Sequence, residues 1–161
     1  MNLDAIFALV SVDIIILLCV AVVLALVALR LNVVIPATLV LSLFLANTLQ
    51  PLLNGTAFIG GMFTTSSPLI AFCVLFTLLA ILFFRLLTRH MREEATLTGA
   101  LLSGAAGTVG IFAAWVQTPL LHSLHTFNAP LTAWFTAGTL LLWIFGSLIA
   151  LGFAQRQSRW I

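Results

Sequence analysis

The chain has 161 residues, of which 63% are hydrophobic and only 6% charged, against about 45–50% and about 25% in soluble domains. So apolar a chain cannot keep a water-facing surface free of large hydrophobic patches, which excludes an ordinary soluble globular domain. The net charge of +2 comes from six arginines with no lysine; no basic stripe alternates with aromatics, so no nucleic-acid partner is expected.

A membrane helix needs about 20 mostly apolar residues, and five segments meet that need in chain order. The first covers about 6–29 and carries Asp13. With no basic n-region and no small-residue cleavage site ahead of it, this span is expected to be retained. Arg30-Leu31-Asn32 separates it from the second segment, about 33–53, and Pro36 follows closely. That spacing predicts a tight helical hairpin; a re-entrant second segment, leaving four spans, is the alternative. Residues 54–67, rich in Gly, Thr and Ser, are expected to form a flexible loop or a short dip into the interface, and Asn54-Gly55-Thr56 fits the N-glycosylation pattern.

The third span, about 68–88, opens on Pro68 behind two serines, a helix start at which the backbone N–H is expendable. Arg85, Arg89 and Arg92 cluster at its far end with His90, Glu93 and Glu94. The fourth span, about 97–117, puts Gly99, Ser103, Ala106, Gly107, Gly110 and Ala114 on one helical face. Leu101, Leu102, Val109, Phe112 and Val116 fall opposite. In lipid, helices associate through small residues that let backbones approach, so the small face is expected inside the bundle and the large one in lipid.

Residues 118–130 set Leu120, Leu121, Leu124 and Phe127 at roughly helical spacing against His122, Ser123 and His125. They are expected to form an amphipathic piece at the membrane surface. The fifth span, about 131–154, carries a stripe of Thr132, Thr136, Thr139, Trp143, Gly146, Ser147 and Ala150. It is expected to be a packing face, with a water-lined path as the sharper alternative. A faint parallel repeat pairs the end of the second span and the third with the end of the fourth and the fifth. It rests on Gln50-Pro51 against Gln117-Thr118-Pro119 and on Pro68-Leu69 against Pro130-Leu131.

Arginines close the first, third and fifth spans, and the other inter-span segments have none. By the positive-inside rule this gives five crossings with the N-terminus outside and the C-terminus inside. The expectation is a single all-α membrane bundle, multi-pass in a bacterial inner or plasma membrane.

Chemical candidates are few. Asp13 is the one ionisable group placed within a span. It is read as an interfacial or capping acid, a proton or cation site, or a subunit contact, with no intramembrane basic partner expected in the chain. His122 and His125 form a weak metal pair, short of the three or four ligands that metal sites recruit. Cys19 and Cys73 are read as small core-filling thiols. No GxSxG, HExxH or phosphate-cradling glycine loop occurs, and no cofactor is expected. The sequence therefore favours a non-enzymatic subunit of a larger membrane assembly, in contact with lipid and with other subunits or itself. A self-assembling, holin-like pore or a small transporter protomer is the alternative.

Overall fold

The computed structural model describes residues 12–54, 56, 68–88, 96–122 and 124–157, and these form helices and connecting turns without strands. Five helices are long and apolar enough to cross a membrane. They are α1 (Val12–Arg30), α2 (Val34–Asn54), α3 (Pro68–Thr88), α4 (Leu97–Gln117) and α7 (Ala137–Gln157). Between the last two lie the single-turn helices α5 (Pro119–His122) and α6 (Ala129–Thr132) and a 3-10 turn, Ala133–Phe135.

Residues 31–33 make the α1–α2 turn. The N–H groups of Leu31 and Asn32 donate to the Val27 carbonyl, while the Asn32 side chain accepts from the Val34 N–H at 2.9 Å. Asn32 thus satisfies an orphan donor at the start of α2, and the second segment continues as one 21-residue helix. α4 begins in the same manner: Thr96 Oγ1 accepts from the Gly99 N–H at 3.1 Å, a helix N-cap.

α4 is the central helix. Within its apolar window 61% of residues are buried, against 11% in α3 and 17% in α1. α1 and α7 run antiparallel to it and α2 parallel. Gly104 meets Ala21 and Ala25 of α1, Gly99 meets Ala154 of α7, and Gly107 and Gly110 meet Pro36 and Val40 of α2. α3 lies outside, packed on α2, with Leu43, Ala46, Phe72, Leu79, Ala114 and Leu121 in one core cluster. Several buried hydroxyls are satisfied within their own helices, as where Thr38 donates to the Val34 carbonyl, Ser42 to Thr38 and Thr108 to Gly104. Such internal bonds let hydroxyls enter an apolar bundle.

Four expectations are corrected. Phe112, assigned to the lipid face, is buried and stands edge-on to Phe127 and Phe135, with ring centroids 4.6 Å away in both cases. A helix with neighbours on three sides has no broad lipid face, and a ring near its C-terminal end is covered by the loop folding over it. The fifth spanning helix begins at Ala137 rather than near 131, because Thr136 is extended (φ −67°, ψ 160°). The Thr136 carbonyl then accepts from the N–H groups of Thr139 and Leu140. The 118–130 segment is not one surface helix but a turn of α5, an extended stretch and the start of α6. Cys19 and Cys73 are exposed on the outside of the bundle rather than in its core.

Candidate functional site

The titratable residues that the fold joins come from opposite parts of the chain. α1 opens on Val12-Asp13, placing a carboxylate in the first turn, where the helix dipole favours negative charge. At the other end of the antiparallel α4, Thr118 leaves the helix and Pro119 starts the single turn of α5, which sends Leu121 into the core. The chain then extends back over the end of α4. The His125 N–H returns to the Leu121 carbonyl, and the Trp115 indole N–H donates to the His125 carbonyl at 3.1 Å.

This path carries His125 to Asp13. Nε2 lies 2.9 Å from Oδ1, and the Asn128 backbone N–H donates to Oδ2 at 2.8 Å. The Asp13 side chain is 4% exposed and that of His125 38%. One carboxylate therefore accepts from two points of the segment between α5 and α6, across separations of 112 and 115 residues. The imidazole is held further by Phe127, edge-on with centroids 4.7 Å apart. With Nε2–H donating to Asp13, Nδ1 is the acceptor nitrogen of the neutral ring. The arrangement ties the cap to α1, and it orients one imidazole at the bundle end by a carboxylate.

The sequence predicts no intramembrane basic partner for Asp13, and the partner it has comes from a loop 112 residues away. An acid at a span end needs donors, and a histidine in the loop at that same end was the available signal.

His122 does not join the pair: its Nε2 lies 3.2 Å from the Val116 carbonyl. Among the described residues, no three His, Cys, Asp or Glu side chains converge as metal ligands would.

The packing residues divide by helix. On α4, Gly99, Ser103, Ala106, Gly107, Gly110 and Ala114 are all buried, and Ser103 Oγ donates to the carbonyl of Val33, in the α1–α2 turn, at 3.4 Å. On the α7 side, Ser147 is buried, Thr132 and Trp143 are half-buried, and Thr136, Thr139 and Gly146 are exposed. The Trp143 indole N–H donates to the Trp134 carbonyl at 2.7 Å, which ties the second turn of α7 to the 3-10 turn before it.

Two spaces remain. A groove of about 830 Å³ runs between α4 and α7, with Trp134, Trp143, Gly146 and Ala150 on its walls. A cavity of about 310 Å³ lies between α1 and α4, below the Asp13–His125 pair. Its α1 wall is Ile16, Leu17 and Val20, which follow Asp13 at i+3, i+4 and i+7 on one helical face.

Compared with protein families, curated proteins and solved structures, the chain matches none of them.

Proposed function

We propose that this chain is a non-enzymatic membrane subunit that seats a helix of another subunit, or of a second copy, against α7. The observation that carries this reading is a contrast between glycines. A side chain at Gly99, Gly104, Gly107 or Gly110 of α4 would meet a neighbouring helix within about 3 Å, whereas at Gly138, Gly146 and Gly152 of α7 nothing lies within 4 Å. Small residues in membrane helices serve close approach. On α4 that approach is made within the chain, and on α7 the same device is uncovered beside an open groove.

The proposed orientation follows from charge. Arg30, Arg85 and Arg156 stand in the last turns of α1, α3 and α7. The positive-inside rule then makes those ends cytoplasmic and puts the Asp13–His125 cap outside, as in a bacterial inner or plasma membrane.

The assembly is tested by purifying the chain from its native membrane in mild detergent and weighing the complex. A complex heavier than the chain, cross-linked through Gly146→Cys, is expected. A monomer with no cross-link at that position overturns the reading, and a ring of identical chains transfers it to a pore.

Orientation is tested separately, with an impermeant thiol reagent and single cysteines in a background lacking Cys19 and Cys73. Both native thiols are exposed, so their replacement should be tolerated. Thr56→Cys is expected to label from outside, and Thr96→Cys only once the inner face is opened. Outside labelling of Thr96→Cys would reverse the assignment.

A further inference from the structure

We propose that the cavity below the Asp13–His125 pair is a binding site for a small aromatic alcohol that partitions into the membrane. Its rings would lie among Phe112, Trp115 and Phe127, and its hydroxyl would donate to His125 Nδ1. The site stands apart from the subunit reading, since it lies between α1 and α4 and not on the open side of α7.

The cavity has a structural cause. α1 and α4 touch closely where Gly104 faces Ala21 and Ala25. Nearer the outer end, α4 changes from glycine and alanine to Ile111, Phe112 and Trp115, and a space of about 310 Å³ opens between the helices. Ligand pockets are mostly apolar with a few placed polar groups, from about 300 Å³ upward. This space is at the small end of that range, with room for one compact ring system rather than a whole lipid.

Its chemistry is specified by one residue. His125 is the one titratable side chain in the lining. Its Nε2 is committed to Asp13, and its Nδ1 has no hydrogen bond among the described residues. Asp13 fixes the tautomer and orientation of the neutral ring as a carboxylate does for a catalytic or ligating histidine, and in that ring the free nitrogen is an acceptor. The other polar lining groups are committed: Thr108 donates to the Gly104 carbonyl and the Trp115 indole N–H to the His125 carbonyl. The aromatic walls are likewise set: Phe127 stands edge-on to Phe112 (87°) and to Trp115 (82°), leaving ring faces and edges for an aromatic guest. A purely aliphatic guest would fill the space and leave Nδ1 unpaired. An aromatic alcohol satisfies both.

The probes are 2-naphthol and 2-methoxynaphthalene, of similar shape, the second lacking the donor. Equilibrium dialysis of the purified chain in mild detergent, corrected with empty micelles, is expected to give one saturable naphthol site per chain. The methyl ether should bind about tenfold more weakly, the effect of one lost hydrogen bond. Leu17→Phe and Val20→Phe, each filling the cavity from α1, should weaken naphthol binding tenfold or more in whichever variant keeps the native melting temperature. His125→Phe should abolish the preference for the alcohol. Three results would overturn the proposal: equal affinity for the two probes, uptake no greater than that of empty micelles, or unchanged binding in a folded cavity-filling variant.

Discussion

Gly104→Ala is expected to force α1 off α4 and to be the most damaging single-methyl substitution in the bundle. A Cβ at that position would lie 2.6 Å from the Ala21 carbonyl oxygen, 2.7 Å from Ala25 Cβ and 2.8 Å from the Ala25 nitrogen. Two of those three atoms are backbone and cannot rotate aside, so the whole of α1 must move. Close-packed contacts are lost along the seam, at a cost on the order of 1–3 kcal/mol from overpacking. Since van der Waals contact rather than water exclusion drives helix association in lipid, a small displacement counts heavily.

Neighbouring positions supply the gradient that makes this a test. Gly107→Ala should be milder: its nearest atoms are Pro36 Cβ at 3.0 Å and Leu24 Cδ1 at 3.2 Å, and the leucine can change rotamer. Gly146→Ala meets open space and should be neutral or stabilising by roughly 0.5–1 kcal/mol, from the lower backbone entropy of alanine in a helix. The measurement is the fraction of protein eluting at native size after graded heating in mild detergent. If Gly104→Ala survives as well as Gly146→Ala, the α1–α4 contact is not what holds the bundle together.

Gly104 also shows how far the sequence could be read. Five apolar runs of helical length are local facts, and each became a helix; the small face of α4 was equally local. A helical wheel, however, separates one inside from one outside, and α4 has three helices around it. The wheel therefore favoured Gly107 over Gly104 and sent Phe112 into lipid. On α7 the same reading grouped Thr136, Thr139 and Gly146 with Ser147, but only the serine is buried; a wheel finds a face without saying what covers it. The start of α7 was hidden because 129–135 is as apolar as a span, and the break depends on the backbone of Thr136. Asp13 stood out at once as an acid in an apolar run. Its partners were illegible, because meeting His125 and Asn128 requires the antiparallel packing of α1 on α4 and the return of the chain over the α4 end.

Those partners set the second large effect. Asp13→Leu should release the outer cap, because Nε2 of His125 and the N–H of Asn128 both lose their acceptor at once. Amide exchange of residues 125–128, followed by mass spectrometry in mild detergent, should then quicken by about tenfold or more, as expected when local opening replaces a held conformation. Asp13→Asn should fall between. Its amide offers one oxygen and one N–H in place of two oxygens, so it can face one of the two donors but must set a donor against the other. His125→Gln retains a side-chain N–H that can reach Oδ1, and should leave exchange at Asn128 close to the native rate. His125→Phe keeps the contact with Phe127 and removes the donor, which isolates the hydrogen bond from the ring packing. The decisive comparison is Asp13→Leu against His125→Phe. If the first frees the cap and the second only loosens it, the Asn128 N–H bond to Oδ2 is the stronger tether. If the cap of Asp13→Leu exchanges at the native rate, Trp115 and the Phe112–Phe127 contact hold it unaided. The carboxylate's role would then be limited to orienting the imidazole above the cavity.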